Sequence, residues 1–244
     1  MSVMTKGLSL AVVTAVLGGC GMMKDKVPGG GSTSGGATSS GGGMTSGMPG
    51  ACNDDKGVEE LGKQMDEKTF DAVIASHNSL GFVYDAAGKK PDADKARATA
   101  KKWQDNKDKA PKGGERIKIV KAATESIQKE TEGVNAAAKT DAGTQTALKS
   151  ARMELRKALV YVAWGSKIGT EAGPKAKEAV AANKTCAAKT TGVVDAAAGL
   201  STLVGNMKST YSAVDGAVKK AGGGEMTEAE KKESEGGAPA GLGI

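Results

Sequence analysis

The side chains with the widest chemical range in this 244-residue chain are three thiols, Cys20, Cys52 and Cys186, and a single imidazole, His77. One histidine removes most Ser-His-Asp arrangements and every His-rich metal site. No Cys-x-x-Cys pair is present, so neither a dithiol redox centre nor a zinc site is expected, and no cofactor is implied. His77 falls on a helical stripe with Phe70, Val73, Ile74 and Tyr84, which places it in a core or at its boundary rather than in the role of a general base. The acidic pairs Glu59-Glu60 and Asp66-Glu67 are sequence neighbours and point to different sides of a helix. Glycoside hydrolysis needs two carboxylates that converge, a placement that spacing alone does not show.

Other matches fail on their own terms. Gly81 and Gly88 are separated by six residues where a phosphate loop has four, and Lys90 stands where Ser or Thr is required. Asp92 and Asp94 start like a calcium loop but lack its glycine and closing glutamate. Asn183-Lys184-Thr185 fits a glycosylation sequon and reads more simply as a helical surface turn beside Cys186. Tyr161 and Trp164, three apart, form either a small aromatic platform or filling for wide gaps in an alanine-lined core, and the second suits this composition better.

The third thiol has a different setting. A single charge at Lys6 precedes an apolar run from Leu8 to Val16, followed by Leu17-Gly18-Gly19-Cys20. The run is too short to span a hydrocarbon core of about 30 Å, and it reads as a secretion signal. Its ending resembles the lipobox of bacterial lipoproteins. The resemblance implies a signal peptide over residues 1–19, diacylglycerol on the Cys20 sulfur, and Cys20 as the mature N-terminus. Gly21, where an aspartate would favour retention at the inner membrane in enteric-type bacteria, points to the outer membrane. The competing assignment is an ordinary cleaved signal with Cys20 a bystander. Acylation of Cys20 leaves Cys52 and Cys186 as an even pair in an oxidising compartment, and a disulfide between them is expected. It would close a loop of well over a hundred residues, worth about 4 to 5 kcal/mol by chain entropy.

The elements that must position these groups follow from composition and period. Residues 20–50 form a linker, uncharged from Val27 onward and rich in Gly, Ser and Thr, with an r.m.s. reach of roughly 30 Å. Residues 51–222 carry one domain. Residues 223–244, with five glutamates and two lysines, are expected to be a disordered acidic tail, with at most a short helical turn near Thr227. Within the domain, Ile117, Val120, Thr124, Ile127, Thr131 and Val134 step by three and four, as do Leu148, Arg152 or Ala151, Leu155, Leu159 and Val162. Further helices are expected from an N-cap at Asp66, from Asp92 to Lys109, and from a start at Pro174, after a break at Gly173, to about Ala221. The fold class is therefore all-α, an antiparallel bundle of four or five helices behind a disordered tether.

Charge narrows the partners. The chain carries +6; removing residues 1–19 takes away one lysine and no acid, leaving +5, of which the tail holds −3 and the rest +8. Nucleic acid is disfavoured for an exported chain, and no small-molecule substrate is implied. The function expected is a non-enzymatic envelope lipoprotein, membrane-bound through Cys20, whose helices serve an interaction or structural role with an envelope protein partner. A basic module that binds lipopolysaccharide or another anionic polymer is the alternative, and a cell-wall hydrolase a weaker one.

Overall fold

The computed structural model describes residues 56–242 and Ile244. Residues 1–50, for which a signal peptide and a linker are expected, and with them Cys20, lie outside the described residues, as does Cys52. Six α-helices follow one another: α1 (Lys56–Ala87), α2 (Lys90–Asp105), α3 (Gly114–Ala136), α4 (Ala142–Ala182), α5 (Ala187–Lys220) and α6 (Glu228–Glu235). The described residues contain no strand, and none of their helices is long and apolar enough to cross a membrane.

The four long helices pack in the cyclic order α1, α3, α5, α4, with α3 and α4 diagonal. Side-chain contacts fix their directions. Asp66 meets Arg116 at one end of the α1–α3 pair, and the Lys139 ammonium bonds the Ala87 carbonyl at the other, so α1 and α3 are parallel. The Ser79 hydroxyl donates to the Ala151 carbonyl while Met65 lies against Gly169, so α4 runs opposite to α1. Arg152 meets Asp215 and Gly169 meets Ala197, which makes α5 antiparallel to α4. The all-antiparallel expectation thus gives way to three parallel helices and one opposed. The reason is α2: its stripe of Ala93, Ala96 and Ala100 is buried, and it lies against α1 as the return stroke that lets α3 start where α1 starts.

Three boundaries differ from expectation for local reasons. Val58, Met65, Thr69 and Val73 keep one buried phase, so α1 is continuous and Asp66 caps nothing of its own. Its carboxylate instead accepts from the Gly113 amide at 2.9 Å, satisfying a donor at the α3 N-terminus. Pro174 lies inside α4 rather than starting a helix. Pro174 and Thr170, whose carbonyl loses its donor, are both exposed, while Ala172, Ala176 and Ala179 stay buried, so the defect lies on the outer side of the helix. Third, the stretch after Gly223, expected to be disordered, forms α6 against α4. Thr227 and Glu230 make a reciprocal capping box, which is worth about 1 kcal/mol in such a short helix.

Val73, Val83, Val120, Ile127, Leu155, Leu159, Leu200, Met207 and Val214 form the core. Each large aliphatic buried there contributes about 1.5–3 kcal/mol of transfer energy. Buried hydroxyls are satisfied locally: Thr124 and Thr131 donate to the Val120 and Ile127 carbonyls, both at 2.7 Å.

Candidate functional site

The residues singled out for chemistry do not converge among the described residues. His77 has its Nδ1 3.1 Å from the Val73 carbonyl and meets the Trp103 ring edge-on at 5.0 Å. Burial holds its pKa below the ordinary imidazole value, which keeps the ring neutral. Glu59 forms an exposed pair with Lys63, and Asp66 is committed to α3. Asp92 lies in the first turn of α2, and Asp94 pairs with Lys90 and Arg97. The Tyr161–Trp164 pair is capped by the chain itself, with Lys68 Nζ 4.1 Å from the Trp164 ring centroid and 3.8 Å from Asp71. Among the described residues no group of three His, Cys, Asp or Glu is placed to hold a metal ion. Cys186 is fully buried at the N-cap of α5.

Among the described residues the candidate site is a groove rather than a reactive cluster. It lies where the N-terminal halves of α1 and α5 meet the start of α3 and has a volume of about 580 Å³. Val58, Met65, Ile117, Val193 and Ala196 supply its walls. The groove is open because residues at the helix approach are small: a side chain added at Gly62 would come within 3.1 Å of Val193 Cγ2. Thr69, Thr190 and Asp66, which line it beside Glu59, Lys63 and Lys112, are already bonded. Thr69 Oγ1 donates to the Met65 carbonyl at 2.7 Å and Thr190 Oγ1 to the Cys186 carbonyl at 3.0 Å. The Asp66 carboxylate is shared between the Gly113 amide and Arg116. A hydroxyl that donates to its own helix has no base to activate it. The arrangement suits apolar packing.

Two arginines belong to no motif: Arg116, whose partner Asp66 lines the groove, and Arg152, already on the α4 stripe, whose partners Asp215 and Gly224 lie outside it. Arg116 is buried, with its guanidinium bonded to the Pro111 and Asp66 carbonyls, paired with the Asp66 carboxylate at 2.9 Å, and stacked 4.9 Å from the Phe70 ring centroid. Burial lowers its pKa from the usual guanidinium value, against the pull of Asp66 and Asp71. Arg152 is the largest fully buried side chain among the described residues and donates to Asp215 at 2.8 Å and to the Gly224 carbonyl at 2.9 Å. The available signal was phase: both arginines occupy inward positions of otherwise apolar stripes.

No protein-family profile, curated protein or solved structure matches the chain. The class is defined by the fold alone, an all-helical bundle.

Proposed function

We propose that the chain is a non-enzymatic envelope lipoprotein, acylated on Cys20, with Cys52 bonded to Cys186 and the bundle acting as an interaction module. Its outer groove between α1, α3 and α5 receives an apolar segment of a partner protein. The observation that carries this reading is the groove itself, whose walls are apolar and whose Thr69, Thr190 and Asp66 are spent on the protein's own backbone and on Arg116. Such a surface rewards burial of hydrocarbon. The signal resembling a lipobox and the uncharged linker support attachment to a membrane, with room for the bundle to stand off from it.

Affinity purification from the native membranes tests the reading. The wild-type chain should retain a partner that is lost from Val193→Asp, whose half-buried position at the groove tolerates a charge without unfolding the core, as checked by circular dichroism. Cys20→Ala should lose the same partner through loss of membrane location. Retention of an identical protein set by all three forms would contradict it.

A further inference from the structure

The opposite side of the bundle carries a second feature. Between Lys149 and Lys157, α4 holds four cations, Lys149, Arg152, Arg156 and Lys157, against Glu154 alone. Lys149, Arg152 and Arg156 recur at steps of three and four and so share a face, and the run covers about 12 Å of helix axis. The acidic C-terminal stretch lies along it in the direction of α4. Gly222 faces Gln145, Gly223 faces Lys149, the Gly224 carbonyl accepts from Arg152, and Gly236 reaches the Tyr161 hydroxyl. In between, Glu233 pairs with Lys157 at 3.2 Å and Glu235 with Arg156 at 3.0 Å, while Glu230 lies in the field of Arg152 and Lys149.

Two observations mark this stretch as an occupant of the α4 face. The Nε atoms of Arg152 and Arg156 are buried and have no hydrogen-bond partner, so the strap leaves donors of the face unused. Its hold is also slight: α6 has eight residues, packs on α4 alone, and the carboxylates of Glu233 and Glu235 remain 61% and 50% exposed. Met226, under the Tyr211 hydroxyl, is its main apolar anchor.

We propose that α6 is a built-in competitor for an external acidic peptide, and that Lys149, Arg156 and Lys157 form the docking site of a partner segment whose carboxylates repeat the spacing of Glu230, Glu233 and Glu235. A peptide is favoured over a phosphate polymer because the face accommodates a helix: Ser234 is buried against it and Met226 fills a pocket beside it, contacts that a bare polyanion would leave empty. The proposal rests on the interaction-module reading but uses another face. Capture lost on Val193→Asp and indifferent to Arg156→Ala belongs to the groove, and the reverse pattern belongs to α4.

The test measures fluorescence anisotropy of a labelled peptide of residues 224–238 added to the mature chain and to the Glu233→Gln/Glu235→Gln variant. Weakening the internal competitor raises the binding-competent fraction, so the variant should bind about tenfold more tightly. Adding Arg156→Ala and Lys157→Ala should abolish the gain, and raising salt should weaken it. Equal affinity of the two forms, or binding indifferent to the α4 substitutions, would overturn the proposal. So would loss of the cooperative helical melt in the Gln variant, which would make the strap part of the fold. Inorganic polyphosphate that displaces the peptide at lower charge concentration than polyglutamate would reject the acidic-peptide assignment.

Discussion

The two sides of α4 are held by opposite means. Toward α1 and α5 its close contacts are at Gly165 and Gly169, and the fit is so close that a Cβ on Gly169 would lie 2.5 Å from that of Ala197. Toward the C-terminal strap they are Arg152, which donates to the Gly224 carbonyl, and Arg156 and Lys157, each paired with an acid of the strap. The first side gains dispersion and apolar burial from near-contact of backbones; the second gains charge-assisted hydrogen bonds over little apolar area. One is sensitive to volume and indifferent to salt. The other tolerates volume and responds to salt and acid.

The largest effect should come from the charged side, where it is buried. Arg152→Ala leaves Asp215 and the Gly224 carbonyl without their donor, and at 2% exposure the loss should cost about 3–5 kcal/mol in urea unfolding. Gly169→Val should cost about 1–3 kcal/mol or more by overpacking, while Gly192→Ala, with open space around it, should be neutral or slightly stabilising. If these two glycine substitutions behaved alike, the contrast between close approach and open surface would fail. Glu233→Gln with Glu235→Gln should cost only about 0.2–1 kcal/mol each, because both acids are largely exposed, yet it should speed amide exchange in α6 while leaving α5 protected.

Acid should separate the two sides further. Burial works to raise the Asp215 pKa, but the hydrogen bonds from Lys219 and Arg152 outweigh it and hold it below 3.8. Its stabilising contribution is complete above that value and is lost as pH falls below it, so the charged cluster of Arg152, Asp215 and Lys219 between α4 and α5 should loosen before the glycine and alanine contacts. The smallest effect belongs to His77. Its folded pKa lies below 6.5, so the unfolded chain takes up the proton first and stability declines as pH falls from 6.5. His77→Gln should remove that slope from the pH dependence of urea unfolding.

Periodicity made the all-helical fold readable, because the stripes on α3 and α4 are buried where their three- and four-residue steps place them: Val120, Thr124, Ile127, Thr131 and Val134, then Leu148, Leu155, Leu159 and Val162. Direction was not readable. Nothing in the spacing of Ala93, Ala96 and Ala100 says that α2 is a return stroke rather than a bundle member. The strap was missed because its composition, judged alone, cannot bury enough apolar area to fold, and what orders it is the α4 charge, supplied from seventy or more residues away. The groove was equally hidden, since Val58, Ile117 and Val193 come together only once α1, α3 and α5 run parallel.

Lipid attachment remains the claim on which the proposed function depends most. Intact mass spectrometry of the protein extracted from its native membranes addresses it directly: the account predicts a chain that begins at residue 20 and carries diacylglycerol on that cysteine. A mature chain with an unmodified sulfur at Cys20, or one that retains residues 1–19, would contradict it.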